Sequence, residues 1–236
     1  MVANPIKRIV KKIPGVVPLY RTLFALLPRR LIFSRIYASN KWEGKGSISG
    51  PGSDVDQTRI LVEELPRLLA NFDVRTMLDI PCGDFHWMRN VRLEKIDYTG
   101  ADIVGELIER NTQGYESDSI HFRNLDLIKD RLPAVDLILC RDCLVHLSFK
   151  DLWSALLNVC SSGAIYLLAT TFTRRTENQD IVTGHWRRLN LQVAPFMLPP
   201  PLAILNEGCT EGGGENDDKS LGLWKIADIA ERMRPI

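Results

Sequence analysis

The chain has 236 residues, 45% of them hydrophobic, and its 30 Lys and Arg nearly balance its 29 Asp and Glu. That is enough apolar material for one globular domain plus an appendage, and no internal repeat or extended low-complexity segment interrupts it. Nine of the basic residues and none of the acids fall within residues 1–41, so the remainder is net acidic, which disfavours nucleic-acid binding by the main body.

Residues 1–41 read as a basic arm. It opens Pro5-Ile6-Lys7-Arg8-Ile9-Val10-Lys11-Lys12-Ile13-Pro14, and Pro14, Pro18 and Pro28 divide it into short pieces. Its apolar stretches, Leu19 to Leu27 and Leu31 to Tyr37, fall short of the ~20 residues that a membrane-spanning helix needs. No signal peptide fits well, because no charge-free apolar region runs into a small-residue cleavage site. Three readings stay open: an arm packed on the acidic body, peripheral contact with an anionic membrane surface, or a transit peptide.

Residues 42–75 form a loop and helix leading into the domain. Gly44 to Ser53 contains four glycines and reads as a hinge, or as a flap that lays its backbone against a ligand. Asp54 to Leu65 carries Leu61 and Leu65 on one helical face, continued by Leu68 and Leu69, with Pro66 expected to kink or restart the helix.

The domain proper, residues 76–236, opens on Met77-Leu78-Asp79-Ile80-Pro81-Cys82-Gly83-Asp84-Phe85. A short apolar run, a tight turn with Gly and a polar residue opening a helix mark the entrance of an α/β nucleotide-binding domain. Asp102 ends the next apolar segment, 23 residues after Asp79, the interval at which such domains hold a ribose through its hydroxyls. Asp126 closes a third segment. Val135 to Cys140 is a fourth, running into Arg141-Asp142-Cys143-Leu144-Val145-His146. Cys140, Cys143 and His146 invite a zinc reading, but structural zinc needs four ligands, and Cys82, Cys160 and Cys209 supply no second pair. Reduced, mostly buried thiols in a cytoplasmic protein are expected instead, with no metal site.

Ser148 and Asp151 resemble a capping box opening a helix from Lys150 to Cys160, which Gly163 is placed to end. Ala164 to Phe172 is then a buried strand, and Leu202 to Leu205 and Ser220 to Ile226 supply two late strands. Alternating strands and helices followed by a closing β pair give a three-layer, doubly wound α/β sheet. Two long loops, Thr173 to Pro201 and Glu207 to Lys219, are the expected places for substrate recognition; the Gly212-Gly213-Gly214 run of the second fits disorder equally well.

The order of these motifs resembles the class I S-adenosylmethionine (SAM)-dependent methyltransferases, with specific motifs over about residues 76 to 172 and a looser match over 200 to 228. The resemblance implies a Rossmann-like, mostly parallel seven-stranded sheet with helices on both faces and the last strand antiparallel. It implies SAM as cofactor. Asp79, Pro81, Gly83 and Asp84 would form the turn under its methionine part, Asp102 with Ile103 would meet the ribose, and Asp126 with Leu127 would border the adenine. Arg141 and Asp142 would stand at the active-site end of the fourth strand. The usual acidic-x-Gly-x-Gly-x-Gly turn keeps only Gly83 of its three glycines. That weakens a nicotinamide dinucleotide, whose pyrophosphate needs close backbone approach, and an acidic Asp84 suits a cofactor without phosphate.

Methyl transfer asks mainly for alignment and exclusion of water, and a hydroxyl acceptor also needs a base near neutral pH. His185, among Gly184, Trp186 and Arg187, is the preferred base, with Asp142 and His146 as rivals. The expected activity is O-methylation of a small-molecule or glycan-type acceptor. A non-catalytic binding domain of the same fold and another Rossmann-type nucleotide enzyme are the alternatives.

Overall fold

Two periodicities alternate along residues 27–233, which are the residues that the structure, a computed structural model, describes. Helices with apolar residues three and four apart interleave with short, largely apolar runs that become strands, of which Leu137–Cys140 is apolar throughout. In chain order these are α1 (Arg29–Ala38), α2 (Val55–Asn71), β1 (Thr76–Asp79), β2 (Asp97–Asp102), α3 (Gly105–Tyr115), β3 (Ile120–Asn124), β4 (Leu137–Cys140), α4 (Phe149–Cys160), β5 (Tyr166–Phe172), β6 (Ala203–Asn206), β7 (Lys219–Lys225) and α5 (Ile226–Arg232).

The seven strands form one sheet in the order β3-β2-β1-β4-β5-β7-β6. All neighbours are parallel except β7, which runs antiparallel to both β5 and β6. All four residues of β4 are buried, as a central strand covered on both faces requires. Leu61, Leu65, Leu68 and Leu69 of α2 pack with Met77, Leu137, Leu139 and Ile108 of α3 on one face. Leu152, Ala155, Leu156 and Val159 of α4 and Ile226 and Ile229 of α5 pack with Leu78, Ile138 and Leu167 on the other. The chain leaves β1 outward to β2 and β3, then returns to β4 and proceeds the other way. The carboxyl ends of β1 and β4 therefore border the switch point where ligands of open α/β sheets bind.

Three local expectations need correction. Helix α2 does not restart at Pro66, one of the two outcomes expected there, but runs through it to Asn71. Burial of Leu68 and Leu69 beyond the proline outweighs the backbone hydrogen bond that it removes. No α-helix follows Asp84. The segment to β2 contains a single 3-10 turn, Met88–Asn90, and instead buries Phe85, Trp87, Met88, Val91 and Leu93. Phe85, with a positive φ of 57°, sits among the rings of Tyr98, Tyr115 and Phe122 at 5.2–5.3 Å. The capping box at α4 is only half made. The Ser148 hydroxyl accepts from Asp151 N at 3.2 Å, while the Asp151 carboxylate turns away to the Thr183 hydroxyl at 2.6 Å and Arg29 at 3.3 Å.

Residues 1–26, with the Lys7 to Lys12 run, lie outside the described residues. The rest of the basic arm contributes α1, whose Ile36 and Tyr37 are buried. No helix among the described residues is long and apolar enough to cross a membrane. Both long loops are tied down by their own polar side chains. In the first, Asn178 donates to the carbonyls of Asn190 and Ala194 at 2.8 and 2.9 Å, and Leu189, Leu191, Phe196 and Leu198 enter the core. In the second, the Gln57 amide pairs with Thr210 at 2.7 and 3.1 Å.

Candidate functional site

One cavity opens at the carboxyl ends of β1, β2, β3 and β4. Asp79 ends β1 and is buried. Tyr98 donates to it at 2.8 Å, yet burial pushes its carboxyl up to about 7. The Ile80-Pro81 peptide after it is cis, and Gly83 has a φ of +55°. A Cβ at Gly83 would strike the Ser49 hydroxyl, so a larger residue there would displace Ser49 as well as sit in a conformation that favours glycine.

The turn's amides are already engaged. Cys82 N donates to Ala101 O at 2.8 Å, Gly83 N to Asp102 Oδ2 at 3.2 Å, and Asp84 N to the Ser49 hydroxyl at 3.1 Å, while Pro81 has none to give. Asp102 ends β2. Its other oxygen accepts Val104 N at 2.9 Å. Burial raises it to about 6 against the amides of Val104, Gly83 and Ile103. Beyond β3, Asp126 accepts Ile128 N at 2.9 Å and pairs with Arg29 of α1 at 3.0 Å. Ile103, Leu125, Leu127 and Phe33 supply apolar walls.

The glycine-rich segment covers this cavity. Ser47 Oγ, Ile48 N and Ser49 Oγ donate to the Asp84 carboxylate at 2.8, 2.9 and 3.2 Å. Asp54 Oδ1 accepts Gly46 N and Ser47 N, each at 3.2 Å. Further on, Gly52 O accepts from Arg141 at 2.7 Å.

Around the ends of β4 and β7 the chemistry changes from isolated carboxylates to paired charges. Buried Arg141 donates twice to Glu207 Oε2, at 2.7 and 3.2 Å, and lies over the Trp87 ring at 5.3 Å. Lys219 Nζ is 2.6 Å from Asp142 and 3.3 Å from Glu207. Burial opposes all of these charges, but the pairs win. Lys219 and then Arg141 pull Asp142 down to about 2, while Asp142 and Glu207 raise Lys219. His146 stands beside them with its ring 4.9 Å from that of Trp42. Burial lowers its pKa, outweighing the His185 carbonyl and Asp142.

Asp79, Pro81, Gly83, Asp84, Asp102, Ile103, Asp126, Leu127, Arg141, Asp142 and His146 thus line one cavity. His185 does not. It closes a turn, with its N–H on Val182 O at 3.0 Å, and its carbonyl points at His146 Nδ1, 2.8 Å away. Asp142, held as a carboxylate by two cations, is a poor base at neutral pH. Sequence reasoning missed Arg29, Trp42, Trp87, Glu207 and Lys219. Only Trp42 carried a local signal, an aromatic ring two residues before a glycine-rich run.

No protein-family model and no curated protein matches the chain. Solved structures do. The chain is similar to the N-methyltransferase NodS from Bradyrhizobium japonicum WM9 in complex with S-adenosyl-L-homocysteine, with a TM-score of 0.54 at 18% identity over 74% of this chain and 90% of that one. It is also similar to the methyltransferase domain of bacterial CtHen1-C, with a TM-score of 0.52 at 14% identity over 73% and 98% of the two chains. At such identities the likeness defines architecture. The protein has the Rossmann-like fold of the class I SAM-dependent methyltransferases.

Proposed function

We propose that the protein is a SAM-dependent methyltransferase acting on a hydroxyl of a small-molecule or glycan-type acceptor. The observation that carries this reading is buried Asp102 at the carboxyl end of β2, its carboxylate on the cavity wall and held by backbone amides rather than by any cation. A carboxylate held in this way keeps acceptor capacity for the two hydroxyls of a ribose. Asp126 and the backbone at Leu127 would border the adenine, with Arg29 and Phe33 of α1 over that end. The turn from Asp79 to Asp84 would lie under the methionine part.

The donor set suits this cofactor better than a dinucleotide. The turn has no amide left for a pyrophosphate, whereas Asp79 and Asp102 suit the net positive charge of SAM. Bound there, SAM would supply a methyl group already activated by its sulfonium. The chain's own residues then have to orient the acceptor and exclude water. The docked glycine-rich flap and the indoles of Trp42 and Trp87 are placed for both tasks.

The test is a calorimetric titration with S-adenosylhomocysteine, with Asp102→Ala as control. Micromolar binding that the substitution weakens at least ~30-fold, about 2 kcal/mol, supports the reading. A folded protein that binds no S-adenosylhomocysteine sinks it. Because NodS is described as an N-methyltransferase, a labelled-methyl screen should include amines beside hydroxyls.

A further inference from the structure

We propose that His146 is the proton acceptor of this site and that Arg187, which is not on the cavity wall, is the residue that positions it; the inference rests on the methyltransferase reading above. His146 ends the single turn Leu144–His146 that follows β4. A lone 3-10 turn has little internal support, and segment 183–187 provides it from outside. Gly184 N donates to His146 O at 2.8 Å, and Arg187 N donates to Val145 O at 3.1 Å. The Thr183 hydroxyl accepts Ser148 N at 2.9 Å. The Arg187 guanidinium donates to Leu147 O at 2.6 Å and reaches Val145 O at 3.4 Å. It is buried against the Phe149 ring at 5.2 Å, and its Nε and second terminal nitrogen have no partner.

This clamp decides which imidazole nitrogen faces the cavity. His146 Nδ1 is 2.8 Å from the His185 carbonyl oxygen, and a carbonyl only accepts. Nδ1 therefore carries the proton, and the neutral ring keeps its lone pair on Nε2. Trp42 covers the ring at 4.9 Å. The charged groups facing it are Asp142, Lys219 and Arg187, and burial together with the two cations favours the neutral form. Asp142 is placed to favour the imidazolium once a proton arrives.

The acceptor class follows: its attacking atom must carry a proton that water at neutral pH does not remove, as a hydroxyl or an ammonium does. A hydroxyl passes its proton to Nε2 as its oxygen bonds to the methyl carbon; an ammonium, which has no lone pair, gives its proton to Nε2 first and attacks as the neutral amine. The pair of the broken C–S bond stays on sulfur, so the sulfonium becomes a neutral thioether while the imidazole becomes cationic.

The experiment is long-range proton–nitrogen NMR on the full chain labelled at histidine, with His146→Gln identifying the signals. At pH 7 Nδ1 should be protonated and Nε2 bare, and the ring should stay neutral below the ordinary imidazole value of 6.5. Arg187→Met should mix the two tautomers or move the titration toward that value, while S-adenosylhomocysteine affinity stays within about twofold. Arg187→Lys, which keeps the charge and one donor, should largely preserve the tautomer and guards against a folding defect in the Met variant. A protonated Nε2 at pH 7, or an unaltered His146 signature in a folded Arg187→Met, overturns the proposal. With an acceptor from the hydroxyl and amine screen, His146→Asn should lower kcat at least ~100-fold without loss of cofactor affinity, and unchanged kcat overturns the base role. If the wild-type imidazole behaves as expected but S-adenosylhomocysteine does not bind, the methyltransferase reading falls, taking the proton-acceptor role with it, and the clamp stands.

Discussion

The two halves of the cavity handle charge in opposite ways. Around β1 and β2 the buried carboxylates Asp79 and Asp102 are held by a phenol and by backbone amides, and burial pushes them up to about 7 and about 6. Around β4 and β7 the carboxylates Asp142 and Glu207 are locked onto Arg141 and Lys219, and Asp142 falls to about 2. The first half leaves its negative charge for a ligand to satisfy. The second pairs its charges with one another, although Glu207 Oε1 is left without a hydrogen-bond partner. A cavity built in this way is unbalanced on the side where a cationic cofactor would lie and internally paired on the side where an acceptor would be positioned.

The largest effect expected from breaking this contrast is at Glu207. Replacing it with Ala takes from buried Arg141 its nearest carboxylate and leaves Arg141 and Lys219 to share Asp142, and breaking a buried pair from one side costs about 3–5 kcal/mol. Urea denaturation should show that loss directly. An unchanged midpoint would mean that the network is solvated. The matching change in the other half, Asp102→Asn, should leave the fold nearly as stable but weaken S-adenosylhomocysteine binding about tenfold or more. In the wild type, affinity should fall as the pH drops through about 6, because Asp102 must be ionised to accept both ribose hydroxyls. A flat affinity profile between pH 5 and 8 would remove Asp102 from the ribose.

That contrast also explains what the amino-acid sequence makes legible. The β1–β3 half is local: Asp79, Gly83, Asp102 and Asp126 each end or follow a short apolar run, so spacing links Asp79 to Asp102 and the family resemblance supplies the roles of the rest. The strand count and the antiparallel last strand come from the family resemblance, and the order of the strands in the sheet is seen only in the structure. Glu207 and Lys219 meet Arg141 and Asp142 from 66 and 77 residues away, and no periodicity links loop residues at such separation. His185 was the more site-like histidine by its neighbours Trp186 and Arg187, but none of the three lines the cavity, and it is the His185 carbonyl that meets His146. The expected helix after Asp84 is missing for a related reason. Burying Phe85 against three rings requires tertiary partners, Tyr98, Tyr115 and Phe122, that no local pattern announces.

A smaller effect sharpens the comparison through pH. The folded-state value of Asp79 lies above its ordinary 3.8, so the native state holds the extra proton. The associated stability is fully present below about 3.8 and is lost as the pH rises through about 7. Asp142 has the opposite sign: its contribution is present above 3.8 and disappears as the pH falls through about 2. Asp79→Asn should therefore gain on the wild type between pH 5 and 8, by on the order of 1 kcal/mol, as read from urea midpoints across that range. Equal pH slopes for the two proteins would show that Asp79 is ionised in the native state at pH 5.

The smallest expected effect is at the flap, where the two halves are tied together. Ser49 bonds to Asp84 on one side, through both its hydroxyl and the Asp84 amide, and Gly52 O reaches Arg141 on the other. Ser49→Ala only loosens the first tie, since the Ser47 hydroxyl and Ile48 N still hold Asp84, and costs about 1 kcal/mol by the usual worth of such hydrogen bonds. Global unfolding should barely register it, because the segment buries little of the core. Protease cleavage within residues 44–53 should instead speed up severalfold, since local opening rather than unfolding exposes the backbone, and S-adenosylhomocysteine should dissociate faster by a similar factor. Faster cleavage with an unchanged dissociation rate would separate the flap from the cofactor and leave it covering the acceptor side alone.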